Sequence, residues 1–208
     1  MRVSLPYRAV KRIVDVSAST VLIGITAPLM AGISICIKKE SLGPALFSHD
    51  RVGENGRVFR MHKFRSMRVG SEDLEATLND DDLEVYYQEY KLSDDPRVTR
   101  IGRKLRRCSL DEIPQLFNVI KGDMSLVGPR PVMESELGFY NEDEQRRLLS
   151  VKPGITGYWQ VNGRNQATYQ TGRRQELELY YVDHASLMLD FIILLKTPAA
   201  VFLGKGAD

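Results

Sequence analysis

Between Val16 and Ile37 the chain runs for twenty-two residues without a charged side chain, close to the ~20 that cross a bilayer as one helix. No other stretch narrows the choice of folds as much. Both flanks are basic, with Arg8, Lys11 and Arg12 before the run and Lys38 and Lys39 after it. Basic flanks are retained on the cytoplasmic side, so the charges favour a segment that returns to the side it entered from. Pro28 lies mid-run, where it removes a helix hydrogen bond and kinks the chain. Broken at Ala27-Pro28, the leading arm 16–27 is about 18 Å long at ~1.5 Å per residue, too short to cross. A re-entrant helix-break-helix satisfies both facts, and a kinked spanning helix satisfies the length. No small-residue cleavage site leads into a polar start, so a cleaved leader fits poorly. Asp15, at the edge of the run, is costly in hydrocarbon unless paired. Arg12, on the same helical face, is its natural partner, with solvation at headgroup level as the alternative.

A chain of 208 residues suits one well-buried domain. The net charge of +2 is too small to imply a nucleic-acid partner. Cys36 and Cys108 make no disulfide framework, which fits a reducing cytoplasm. After Ser41 short extended pieces follow, with Asn55-Gly56 as a hairpin turn between 45–47 and 57–67. Lys63 and Arg65 share one face of the second strand, where they suit either phosphate or a charged edge. The acidic run over 71–95 reads as a solvated face. The expected class is α+β, mostly helical with short strands.

The densest chemistry lies in Arg106–Pro131, RRCSLDEIPQLFNVIKGDMSLVGPRP. Adjacent carboxylates Asp111 and Glu112 follow a run of arginines, a combination suited to a phosphate with its divalent cation. Ser109 and Glu112 fit a capping box. Alternatively the helix begins at Pro114, in its favoured first position. Either way the two carboxylates sit at a helix N-terminus, where the dipole favours an ionised Asp111 able to act as nucleophile or metal ligand. Gly122 is a plausible helix terminator. Prolines on both sides of Arg130 stiffen the loop that would present its guanidinium. Asp95-Pro96-Arg97 reads as a turn.

Further on, 141–150 reads as a polar helix, 157–161 as a strand and 175–183 as a helix. Trp159 suits stacking on a base or sugar, anchoring at lipid, or the core. The apolar 186–203, interrupted by Asp190, Lys196 and Pro198, suits an interfacial or packed helix better than a span.

The run LDEIPQLFNVIKGDMSLVGPRP resembles the signature of the monotopic phosphoglycosyl transferases, also called bacterial sugar transferases. Further matches are Lys11-Arg12 with Asp15, Gly43-Pro44 with Phe47, Arg51 and Gly53, then KFRSM at 63–67 and KPGITGYWQVNGRN at 152–165. The resemblance covers nearly the whole chain, in the family's order. It implies an enzyme that moves a phosphosugar from a UDP-sugar to undecaprenyl or another polyprenyl phosphate, by ping-pong kinetics, releasing UMP and starting exopolysaccharide or other glycoconjugate assembly. By this resemblance Asp111 is the nucleophile and a magnesium ligand, Glu112 its dyad partner, and Arg106 a phosphate contact. Lys63, Arg65, Arg97, Arg130 and Arg164 are donor-binding candidates.

The resemblance also implies a re-entrant break, here at Ala27-Pro28 where relatives often carry Ser-Pro. It divides the chain into a membrane segment over 1–40 and a cytoplasmic catalytic domain over 41–208, on the bacterial inner membrane. With no larger membrane portion before Arg2, the small form of the family is expected. Expected partners are the UDP-sugar, the polyprenyl phosphate, membrane lipid and downstream glycosyltransferases, with a homodimer left open and no nucleic acid. Trp159 nudges the sugar toward galactose or glucose. The alternatives are an N-acetylated UDP-sugar or, in another class, a membrane-anchored scaffold without activity.

Overall fold

The computed structural model describes residues 5–90, 92, 94–163 and 167–202. The class is α+β and mostly helical, as expected. Helix α1 (Leu5–Glu40) leads into a hairpin of β1 (Leu46–Val52) and β2 (Val58–Phe64). The acidic region forms α2 (Leu74–Thr77) and α3 (Asp80–Glu89), followed by α4 (Arg100–Arg107) and α5 (Gln115–Lys121). Then come β3 (Ser125–Val127), α6 (Glu142–Leu148), β4 (Gly154–Thr156), α7 (Tyr158–Asn162), α8 (Arg173–His184) and α9 (Leu187–Phe202).

The hairpin turns where Asn55-Gly56 demanded it, with Asn55 at φ 58° and Gly56 at φ 76°. Its register pairs Val52 with Val58 and Phe47 with Lys63. Alternation then sends 47, 49, 51, 59, 61 and 63 to one face. Phe59 and Met61 on that face are buried beneath α5. Asn118 of α5 is wholly buried and imitates a neighbouring strand. Its Oδ1 accepts from His62 N (3.0 Å), and its Nδ2 donates to Arg60 O (2.8 Å). A buried amide with both ends satisfied fixes how α5 sits on β2. Gly122 ends α5 at φ 92°, the left-handed terminator read from the sequence.

Around this lies a core of Leu116 and Val119 from α5, Met124, Leu126 and Val127, Tyr181 from α8 and Ile193 from α9. Two three-residue strands, β3 and β4, pair in parallel, Ser125 with Gly154 and Val127 with Thr156. Neither was legible as a strand. The stretch 157–161, expected extended, forms the short helix α7 instead. Pairing stops at Thr156, and Gly157 starts the helical turn so close to Gly128 that a side chain would overlap the Gly128 carbonyl.

Helix α1 is continuous through Ala27-Pro28, so the expected break is not an interruption of the helix. One lost hydrogen bond is carried by the turns on either side. α1 is the only helix among the described residues long and apolar enough to cross a membrane, and it is mostly unburied. Both of its ends dock on the same body. In its first half Ala18, and at mid-helix Ile23, pack on the core beside α5. Near its end Ile33 and Ile37 pack against Ala45, Phe64 and Leu105. Glu40 then accepts the Ile101 N–H with both carboxylate oxygens at 3.1 Å. Between them Val21, Leu22, Ile25 and Leu29 are exposed.

The expected Arg12–Asp15 pair does not form. Arg12 donates to Val119 O (2.6 Å) and Ile120 O (2.8 Å), capping the carbonyl end of α5. Asp15 is buried and accepts the Leu126 N–H at 3.0 Å. Orphan carbonyls at a helix end and a free strand N–H are stronger claims on these side chains than an exposed ion pair on one helix.

Candidate active site

Asp111 and Glu112 lie on a 3-10 turn, Leu110–Glu112, between α4 and α5. The capping box is not formed. Ser109 takes a left-handed backbone (φ 53°), makes no side-chain cap, and turns the chain between the two helices. The helix starts at Gln115 with Pro114 as its leading residue, close to the alternative start. A capping box does occur at α6, between Asn141 and Glu144. Released from capping, Glu112 Oε1 receives a hydrogen bond from Lys63 Nζ at 2.8 Å.

Electrostatics separates the two carboxyls. Asp111 is buried, and burial lifts its pKa above the ordinary carboxylate value. Glu112 adds to that rise, while Lys63 and Arg106 oppose it. Glu112 goes the other way. Burial pushes it up, but the charge and hydrogen bond of Lys63, with the charge of Arg130, outweigh burial and hold it low. Adjacent titratable groups with pKa values driven apart are a pattern of acid–base and nucleophilic sites.

Cationic side chains surround the pair. Arg106, at the end of α4, is held by a hydrogen bond from its Nε to Ser66 Oγ (2.9 Å). Ser66 is brought there by a close approach, since a side chain at Gly102 would collide with the Ser66 carbonyl. The Arg130 backbone N–H is gripped by both carboxylate oxygens of Glu178, at 3.2 and 3.1 Å. Its guanidinium lies 5.9 Å from the Trp159 ring, and its Nε is buried with no partner among the described residues. A buried guanidinium donor left open is suited to an anionic oxygen.

Behind Arg130 is a network the sequence reading did not foresee. Glu136, buried in the 3-10 segment Ser135–Phe139, accepts from Arg51 Nη1 (2.8 Å), Met133 N (2.6 Å) and Tyr169 Oη (3.2 Å). Arg174 lies 3.7 Å from its other oxygen and stacks on Tyr169 and Trp159. Arg51 also donates to Pro131 O at 3.3 Å, so the proline-flanked loop is tied on both sides of Arg130. Trp159 therefore sits among arginines, with its Nε1 donating to Ala167 O (3.0 Å). His49, on the inward face of the hairpin, has its pKa lowered to about 3 by burial and by Arg51, Lys63 and Arg130. It is neutral at physiological pH. The alternation of 47, 49, 51 with 59, 61, 63 was the available signal for His49 and Arg51.

The other expected contacts are engaged by groups of the chain itself. Arg65 follows the end of β2 and leaves the Lys63 face. Its guanidinium donates to Ser41 O (2.9 Å) and to Leu42 O, closing the exit from α1. Arg97 folds back on Asp95 through Nε (2.8 Å) and Nη2 (2.6 Å), and donates to Ser71 O at 3.2 Å. That bidentate pair is buried and occupies the fork a phosphate would need. Arg164 lies outside the described residues. Thus Lys63, Arg106, Asp111, Glu112 and Arg130 are brought together, while the Arg65 and Arg97 side chains are engaged with Ser41, Leu42, Asp95 and Ser71.

Among the described residues no three His, Cys, Asp or Glu side chains cluster as a metal cage. Magnesium commonly uses one or two carboxylates, with substrate phosphates and water completing the shell. Asp111 fits that role, since Glu112 is committed to Lys63.

The bacterial sugar transferase family model matches residues 6–204. The chain is 43% identical over 203 residues to the undecaprenyl-phosphate galactose phosphotransferase of Salmonella typhimurium, covering 96% of this chain and 42% of that protein. It is 44% identical over 201 residues to the galactosyl transferase CpsE of Streptococcus agalactiae, covering 95% of this chain and 43% of that one. The chain thus spans less than half the length of these two relatives. It is also 43% identical over 200 residues to the exopolysaccharide production protein ExoY of Rhizobium meliloti, covering 95% of this chain and 87% of that protein. With the match running from α1 to the end of α9, the chain belongs to the bacterial sugar transferase family.

Proposed function

We propose that this protein transfers a phosphosugar from a UDP-sugar to undecaprenyl or a related polyprenyl phosphate, as the first membrane step of exopolysaccharide or other glycoconjugate synthesis. The observation carrying this reading is a buried carboxyl, Asp111, set among Lys63, Arg106 and Arg130, with Glu112 held ionised beside it. Galactose is the favoured sugar, because two relatives are named for galactose or galactosyl transfer.

The chemistry has two steps. An Asp111 oxygen attacks the sugar-bearing phosphorus of the donor, forming an O–P bond as the bond to UMP breaks. A polyprenyl phosphate oxygen then attacks the same phosphorus, and the aspartate leaves as a carboxylate. Splitting one transfer into two gives ping-pong kinetics. Arg106 and Arg130 bind and orient the diphosphate. Lys63 keeps Glu112 charged and, with Arg106, draws Asp111 toward its ionised form. Asp111, with the donor phosphates, would hold magnesium, which would supply charge neutralisation.

The membrane arrangement belongs to the same reading. α1 docks on one body as far as Ile23 and again at Ile33 and Ile37, while Ile25 and Leu29 between them are exposed, so a crossing would pull one of the two docked parts from its site. A re-entrant α1 dipping from the cytoplasmic face of the inner membrane keeps both. The exposed Met188, Phe191 and Leu195 of α9 would rest on the same leaflet. Purified protein given magnesium, undecaprenyl phosphate and a panel of UDP-sugars should release UMP, fastest with UDP-galactose. Release from no member of the panel would refute the reading.

A further inference from the structure

The chain carries three histidines, and two of them have occupied rings. His62 Nδ1 meets Ser48 Oγ at 2.8 Å, and its Nε2 lies 3.4 Å from Lys121 Nζ. His184 Nδ1 donates to Tyr180 O at 2.9 Å, and its ring stacks on the Tyr180 ring. His49 differs. Its Nε2 accepts from Arg51 Nε at 3.4 Å. A guanidinium can only donate, so Nε2 holds the lone pair and the proton of the neutral ring is on Nδ1. Arg51 is itself fixed by Glu136 (2.8 Å) and by Pro131 O (3.3 Å). Phe47 also packs against the imidazole, with ring centroids 5.4 Å apart. Nδ1 has no partner among the described residues. The ring is half-buried, and Nδ1 is not one of the polar atoms sealed off without a partner, so a ligand can reach it.

The place of His49 on the hairpin gives that open proton a direction of use. Met61 is directly opposite, which sets Lys63 on the neighbouring diagonal of the same face. Lys63 binds Glu112, beside Asp111, and Arg51 binds the carbonyl of Pro131, beside Arg130. His49 therefore stands between the two attachments of the hairpin to the site, one at the carboxylates and one at the arginine loop. Burial, then the charges of Arg51, Lys63 and Arg130, keep the ring uncharged, and every charge acting on it is a cation. An open N–H in a hollow of cations suits an anionic oxygen, and a neutral donor there adds no repulsion of its own.

We infer that His49 is a further substrate-binding residue, its Nδ1–H donating to a diphosphate oxygen of the UDP-sugar. Glu136 and Arg51 act behind it, holding the tautomer that presents this proton. This role rests on the transferase reading and adds a contact to its donor site.

NMR of the full chain with isotope-labelled histidine nitrogens, titrated with UDP and magnesium in detergent micelles, tests this. The His49 signals are assigned by their loss in His49→Leu. Expected are a proton on Nδ1 in the free chain and a shift of that Nδ1 resonance as UDP binds. His49→Leu should weaken UDP binding about tenfold or more, the scale of a hydrogen bond to a charged group, and raise KM for the UDP-sugar in step. His49→Gln, which restores a neutral N–H donor, should recover most of the affinity. A histidine that only packs would leave the Nδ1 resonance unmoved by UDP. That result, a proton on Nε2, or UDP affinity unchanged in His49→Leu would overturn the role of His49. With UMP still released from the panel of UDP-sugars, the transferase reading would stand without it. Absence of both UMP release and UDP binding would overturn both.

Discussion

Lys63 Nζ sits 2.8 Å from Glu112 Oε1, and this ion pair holds Glu112 below the ordinary carboxylate range while burial lifts its neighbour Asp111 above it. Lys63 lowers the pKa of both, yet only Glu112 also gains its hydrogen bond.

Lys63→Ala should therefore shift the acid limb of the pH–rate profile to higher pH, since both carboxyls then hold their protons longer. The rate at neutral pH should fall by about 100-fold or more, the scale of losing one preorganised electrostatic partner. UMP release measured across pH checks both. Glu112→Gln should cut turnover as severely while leaving the melting temperature unchanged, because Glu112 does not cap the helix.

Glu178 grips the Arg130 backbone from a fully buried position, and burial raises its pKa to about 7. Its folded value exceeds the ordinary carboxylate value, so its neutral form is favoured by folding. The associated stability is complete below about pH 4.5 and is lost as pH rises through about 7, amounting to about 3 kcal/mol. Denaturant titrations from pH 4.5 to 8 should show that loss in the natural chain and a flatter profile in Glu178→Gln.

Glu136 accepts from three groups and faces Arg51, Arg130 and Arg174. Glu136→Ala strands buried guanidinium groups, a cost of about 3–5 kcal/mol. Chemical denaturation reads the loss, and Leu137→Ala nearby reports the effect of packing alone.

Cysteines placed at Arg8 and Lys39 test the arrangement of α1. Both should react with a membrane-impermeant maleimide from the same side of sealed vesicles. Labelling from opposite sides would establish a span and contradict docking of both ends on one body.

What the sequence made legible was local. Asn55-Gly56 and Gly122 carry their conformations in their own side chains, or in lacking one, and both took the backbone expected. The carboxylates and Arg130 stand out through their motif, and the fold sets Arg130 close enough to act on Glu112. What escaped notice depends on partners far along the chain. Arg12 and Asp15 were matched to each other because they are neighbours, whereas their partners lie at Val119, Ile120 and Leu126. Three-residue strands give no periodicity to read, so β3 and β4 were invisible. Arg65 and Arg97 have the right chemistry for phosphate, but backbone carbonyls and Asp95 claim them first.

The central claim is that Asp111 becomes covalently bonded to phosphorus during turnover. Incubating the protein with a UDP-sugar labelled in the sugar-bearing phosphate, without acceptor, and then mapping the label by peptide mass spectrometry tests it most directly. The account predicts one label per chain on the peptide containing Asp111, abolished by Asp111→Asn and discharged by undecaprenyl phosphate. Label persisting in Asp111→Asn, or turnover that requires both substrates bound before any UMP leaves, would contradict it.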